Sequence, residues 1–349
     1  MLGAIIGDIA GSRFEWAPHK NKEFELLTHQ CRFTDDSVMT FAVAQSLLDC
    51  HGIFSPFSKL LIQNMQSLGR LYPDAGYGGN FRKWIWSDTP HPYMSYGNGS
   101  AMRISPVAWV AKTEDEVKQL SLTASSVTHN HPEGIKGAEA VAMSIWLALQ
   151  GKSIFEIRDY VESNYYDLNF TLDSIRPDYH FDVSCQGSVP QALMAFFESS
   201  DFEDAIRNAV SLGGDSDTQA AIAGSIAEAY YGIPSSLRKH ALTFLDDRQL
   251  KLLTDFESEY GISIEKKSDG SSIRSITFTN DRMKNVEQNS MLNAVDATEK
   301  AAQNRQDEAV NTSANDLFNH LYEACNILRG PINQDDYKSY VMCCFCQSR

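Results

Sequence analysis

Thr34-Asp-Asp-Ser-Val-Met-Thr-Phe-Ala-Val-Ala-Gln-Ser-Leu-Leu48 decides the fold class. Its apolar positions, Val38, Phe41, Ala42, Leu47 and Leu48, recur near helical period behind a start rich in hydroxyls and acids. The same spacing returns over Gly134–Leu149, Val189–Phe197 and Thr218–Tyr231, with Gly-, Pro- and Asn-rich turns between. Strand-like alternation is scarce, and Phe24–Leu27 is too short to build a sheet. Residues 1–262 therefore read as an all-α, multi-helix domain.

Beyond Tyr260 the composition changes. Lys266–Asn315 is poor in large apolar residues and rich in Ser, Asn, Gln and charge, which makes 263–315 a polar, partly disordered linker. Ile273–Phe278 suits one short strand and Ala294–Ala309 a polar helix. Amphipathic spacing resumes at Leu317–Leu328, giving a short helical module over 316–349 that ends in Cys343, Cys344 and Cys346.

The whole chain has 349 residues, 43% of them hydrophobic, enough for a sizeable core. Its 45 acidic and 30 basic residues leave a net charge of -15. That argues against a sequence-independent grip on nucleic acid, which needs clustered cations to displace counterions. A polyanionic substrate stays open if bound cations screen the field. No stretch approaches the ~20 apolar residues of a membrane span. Met1–Ala10 is apolar but lacks a basic start and contains Asp8, unlike a signal peptide. Seven scattered cysteines do not suggest a disulfide framework. A cytoplasmic protein is the expectation.

Two acidic clusters stand at helix starts: Thr34-Asp35-Asp36-Ser37, and Gly213-Gly214-Asp215-Ser216-Asp217-Thr218. Helix capping explains each cluster by itself, because Thr, Ser and Asp are favoured N-caps and acids complement the helix dipole. Capping needs one oxygen, however, whereas each cluster offers two carboxylates and a hydroxyl. Such hard oxygen donors suit magnesium, calcium or manganese. Were the two starts to converge, the like charges would be tolerable only with cations between them, implying a two-metal centre. Such a centre serves glycoside hydrolysis, by orienting ribose hydroxyls and activating water, or phosphoryl hydrolysis, by clamping an in-line displacement.

Tyr96-Gly-Asn-Gly-Ser-Ala-Met-Arg103 leads into a helix near Ile104–Val110. Its glycines either expose N–H groups to an anion or make an ordinary Asn-Gly turn. Ala75-Gly-Tyr-Gly-Gly-Asn80 is a similar loop. His129 and His131, in Thr128–Gly134, lack the spacing of a zinc site; either contacts a ligand or is a satisfied structural histidine. Glu15 follows a turn at Gly7–Gly11, which Asp8 is expected to cap.

Taken in order, Gly3–Asp8, Phe33–Asp36, Gly97–Arg103, Thr128-His129 and Gly213–Thr218 resemble the ADP-ribosylglycohydrolase family over residues 1–262. The resemblance implies a compact all-α fold with two magnesium ions, manganese being a possible substitute. By motif, Thr34, Asp35, Asp36, Asp215, Asp217 and Thr218 would be the metal ligands. Gly78, Gly79, Ser95, Tyr96, Asn98, Gly99 and His129 would bind substrate. Glu15 falls where the family places a loop glutamate near the scissile bond, and Glu15 and Asp36 would be the catalytic carboxylates. The implied substrate is an ADP-ribosylated protein, nucleic acid or small conjugate. A nucleotide phosphohydrolase and a non-catalytic ADP-ribose-binding module are the alternatives. The tail, Leu321–Tyr340, is similar to the helical N-terminal part of type I restriction-modification methyltransferase subunits and suggests a module that contacts another protein.

Overall fold

In a computed structural model of the chain, helix α1 (Leu2–Gly11) is buried on every side, all ten of its residues being inaccessible to solvent. The expected turn at Gly7–Gly11 is thus the second half of a helix. Its glycines permit contact between helices rather than a change of chain direction. Residues 1–260 are described, together with the backbone of strands β1 (Ser263–Lys266) and β2 (Ser272–Ser275). The two strands pair antiparallel, with Ser263 opposite Ser275. Part of the strand expected within Ile273–Phe278 is therefore present, and it begins one residue earlier. The expected helices at Ala294–Ala309 and Leu317–Leu328 and the cysteine-rich end lie outside the described residues.

After α1 come α2 (Asp35–Asp49), α3 (Phe57–Leu71), α4 (Gly79–Ile85) and, past a 3-10 turn at Asn98–Ser100, α5 (Ser105–Val110). They are followed by α6 (Glu114–Ser126), α7 (Pro132–Leu149), α8 (Ile154–Asn164), α9 (Leu172–Ile175) and α10 (Cys185–Phe197). Among the described residues the helical series closes with α11 (Phe202–Val210), α12 (Ser216–Tyr231), α13 (Ser235–Leu242) and α14 (Asp247–Tyr260). The helices expected over residues 36–48, 134–149, 189–197 and 218–231 are α2, α7, α10 and α12. Phe24–Leu27 forms no strand. Among the described residues no helix is long and apolar enough to cross a membrane.

The helix pair α1–α12 sets the distances in the site. Gly3, Gly7 and Gly11 share one face of α1 by their four-residue spacing. A Cβ at these positions would lie 2.2 Å from the Gly224 carbonyl oxygen, 2.0 Å from that of Ala220 and 2.4 Å from that of Ser216. Backbone therefore packs on backbone along the whole seam, and its far end places Gly11 against Asp217. We expect Gly7→Ala to destabilise the domain by about 3 kcal/mol, roughly a 10 °C fall in Tm, because neither helix can yield a backbone atom. Thermal unfolding checks this; a wild-type Tm would show that the seam has slack.

Candidate active site

The first acidic cluster is aimed by two capping interactions. The Thr34 hydroxyl accepts the Asp36 N–H at 3.3 Å, satisfying one of the donors left free at a helix start. Asp8, fully buried in α1, accepts the N–H groups of Thr34 at 2.9 Å and Ser37 at 3.0 Å. It also accepts the hydroxyls of Thr34, at 2.7 Å, and of Ser37. Asp8 thus caps α2 from the neighbouring helix instead of capping a turn of its own. With the backbone pinned, the Asp35 and Asp36 carboxylates are left for other work. Gly76, at φ +121°, packs where a Cβ would come 2.9 Å from Asp35 Oδ1, so only glycine fits there.

Helix α12 starts differently. Its N-cap residue, Asp215, makes no capping bond with its side chain; the carboxylate accepts Asn98 Nδ2 at 2.7 Å instead. The Thr218 hydroxyl donates to Asp36 Oδ2 at 3.3 Å, joining helix starts that are 182 positions apart in the chain. Carboxylate oxygens of Glu15, Asp215 and Asp217 lie within 4.8 Å of one another. Among the described residues, none of Glu15, Asp35, Asp36, Asp215 and Asp217 has a salt-bridge partner.

Burial, reinforced by neighbouring carboxylates, holds Asp35, Asp36 and Asp217 well above the usual carboxylate range. Burial pushes Asp215 up to about 6. It also takes Glu15 to about 7, with the Asp217 charge as the second cause. Asp36 Oδ1 is buried and has no hydrogen-bond partner among the described residues. A buried, unsatisfied oxygen among uncompensated acids is costly, and hard oxygens so arranged fit a divalent cation.

These groups line one cavity of about 420 Å³. Gly78 and Gly79, at the start of α4, form part of its wall with Ser95, Asn98, Gly99 and His129. Nothing lies within 4 Å of a Cβ placed on either of those two glycines. Two expected site residues stand off the wall. Thr34 is buried behind it, and Tyr96 is 51% exposed, its ring packed edge-on against His131 at 5.3 Å. His131 Nδ1 accepts the Glu133 N–H at 3.1 Å and caps α7. The loop carrying Glu15 is anchored nearby. Lys20 Nζ donates to the carbonyls of Arg176 at 2.9 Å, Leu212 at 2.6 Å and Tyr179 at 2.5 Å. Trp16 stacks on Phe181, with ring centroids 5.2 Å apart.

Arg103, Phe181 and Val183 also line the cavity, and sequence reading assigned none of them a role. Phe181 and Val183 stand in no motif. Arg103 carried a usable signal: an arginine between Met102 and Ile104, in an apolar run, must find its partners inside the protein.

Fold and site together define an all-α protein whose cavity is built from acids at two convergent helix starts. The family model of the ADP-ribosylglycohydrolases matches residues 1–260, and the chain belongs to that family. It is similar to ADP-ribosylhydrolase ARH3 of Homo sapiens, 25% identical over 310 residues covering 67% of this chain and 84% of that protein. It is likewise similar to ADP-ribosylarginine hydrolase Tri1 of Pseudomonas putida, 27% identical over 268 residues, covering 67% and 70%. A solved structure described as an ADP-ribosylglycohydrolase-related protein complex superposes with a TM-score of 0.56 at 25% identity. It covers 73% of this chain and 93% of that one.

Proposed function

We propose that the chain hydrolyses the glycosidic bond joining ADP-ribose to a modified target, using two magnesium ions. The observation that carries this reading is the meeting of the two helix starts through Thr218 and Asp36, around acids that no cation pairs among the described residues. Asp35, Asp36, Asp215, Asp217 and Thr218 would hold the ions. Thr34, its hydroxyl engaged by Asp8, supports them from behind. When bound, the ions compensate the gathered negative charge and orient the ribose hydroxyls.

The chain's own residues supply the rest. Glu15, which burial raises to about 7 in the cation-free fold, is placed to hold or release a proton beside the scissile bond, as an acid or base of an oxocarbenium-like reaction must. Asn98 holds Asp215 in place. Gly78, Gly79, Ser95 and Gly99 leave room for the diphosphate and adenosine. Lys20 and the Trp16–Phe181 stack fix the loop that carries Glu15.

The test is product analysis on ADP-ribosylated arginine, serine and nucleic-acid substrates, with and without magnesium. Release of intact ADP-ribose is the expected result. Phosphate or a nucleoside monophosphate would instead mark a phosphohydrolase, and tight binding without turnover a binding module. Glu15→Gln should lower kcat about a hundredfold while ADP-ribose still binds; an unchanged kcat would remove Glu15 from the proton transfer.

A further inference from the structure

We propose that Arg103 and Thr128 are positioning residues that fix His129 as its Nε2–H tautomer, making the imidazole a one-way hydrogen-bond donor to an oxygen of the bound substrate. The proposal deepens the functional reading above, and rests on it only for the identity of the substrate.

Arg103 is 1% exposed and Thr128 fully buried. Arg103 Nη2 donates to Thr128 Oγ1 at 2.8 Å and to the Ala124 carbonyl at 3.1 Å. A guanidinium has no acceptor, so the direction of the first bond is settled. Thr128 Oγ1 is also 2.7 Å from His129 Nδ1. Its single proton has no other acceptor among the described residues, so it goes to Nδ1. The reverse arrangement would leave a buried hydroxyl proton unsatisfied beside an arginine, at the full cost of desolvation. A hydroxyl that accepts from arginine and donates to Nδ1 leaves the ring proton on Nε2.

That edge of the ring is open to the cavity. Nε2 lies 3.2 Å from where a Cβ on Gly99 would stand and 3.5 Å from one on Gly97, so the two glycines keep it clear. Nε2 has no protein acceptor among the described residues. Arg103 is the charged group that faces the ring, and the Tyr93 ring packs at 6.0 Å. Burial first, and then the Arg103 charge, hold the imidazole well below its ordinary pKa, which keeps it neutral. Arg103 pairs with no carboxylate among the described residues, and its buried Nε has no partner. The pocket wall therefore carries a positive charge at this point, the sign that a diphosphate oxygen needs. His129 on this reading donates a hydrogen bond and takes no part in proton transfer.

The decisive experiment is a long-range proton–nitrogen correlation spectrum of the full chain labelled with [15N]histidine at pH 7, with His129 assigned by its loss in His129→Gln. Wild type and Thr128→Ser should both show Nδ1 as an unprotonated acceptor and Nε2 protonated. Thr128→Val, which removes the hydroxyl proton at nearly constant volume, should shift the ring to the Nδ1–H tautomer or a mixture. On a cleaved ADP-ribosyl substrate, Thr128→Val should raise KM about tenfold with kcat little changed, and Thr128→Ser should restore it. A wild-type ring that is Nδ1-protonated or doubly protonated overturns the proposal. So does a Thr128→Val spectrum identical to wild type. If Thr128→Val does not fold, the wild-type and Thr128→Ser spectra still decide. If no ADP-ribosyl substrate is cleaved, the functional reading fails while the spectra still test the relay.

Discussion

Asp217→Asn should lower turnover by about three orders of magnitude and, in cation-free protein, raise the Tm by a few degrees. Both effects follow from one charge. Asp217 is 4% exposed, sits within 4.8 Å of carboxylate oxygens of Glu15 and Asp215, and is the largest neighbouring-carboxylate cause of the raised pKa of Asp35 and Asp36. Asparagine keeps the shape and can still accept the Thr218 N–H, a bond of 3.0 Å in the wild type, but removes the charge. The metal-free site then loses the neighbouring carboxylate that weighs most on Glu15, Asp35 and Asp36, so folding is favoured. The proposed cation site would meanwhile lose a ligand and the charge that would hold the ions, so catalysis should collapse by the amount typical of a lost electrostatic group. A purely structural aspartate would behave oppositely, because removing a satisfied buried charge destabilises. Steady-state kinetics and thermal unfolding in chelator together decide. Normal turnover, or a Tm that falls, would remove Asp217 from the proposed ion site.

How much of this was legible before the fold was known depends on how local each feature is. Helices α2, α7 and α12 show in the spacing of their apolar residues, because each buries a face whose period the sequence carries. Helix α1 has no such period: every residue is buried, and its glycines imitate a turn. Their purpose lies in α12, whose Gly224 and Ala220 are more than 200 positions away, and no local rule reaches that far. The acidic clusters were legible as chemistry but ambiguous as caps. The structure divides them, with Thr34 capping through its side chain and Asp215 not. Asp8 was misread for the same reason as its helix. Its four hydrogen bonds go to Thr34 and Ser37 across a helix interface, invisible from residues 1–11 alone. Phe181 and Val183 line the cavity from a segment that the Gly97–Ser184 bridge ties to the glycine-rich loop, a register that no motif marks.

If the proposed ions are magnesium, the same gathered charge should make stability depend on them, and the dependence on pH has an expected sign. In the cation-free fold, Asp35, Asp36 and Asp217 titrate well above their ordinary 3.8, Asp215 at about 6 and Glu15 at about 7. At these five groups the folded state therefore binds more protons than the unfolded chain from pH 4 upward through 7. Their contribution to stability falls as pH rises through that window, because the slope follows the protons bound by the unfolded state minus those bound by the native one. Magnesium bound there would compete with those protons and need the ionised form, so its effect should grow as pH rises. At a hundredfold excess over Kd the gain is about 2.7 kcal/mol, which for a domain of this size is roughly 5–10 °C in Tm. We expect that shift at pH 8, at most half of it at pH 5.5, and little of it in Asp217→Asn at either pH. Differential scanning calorimetry with magnesium against chelator measures all three. Equal melting with and without the ion at pH 8, or a larger gain in acid, would mean that these carboxylates are stabilised by something other than a shared cation.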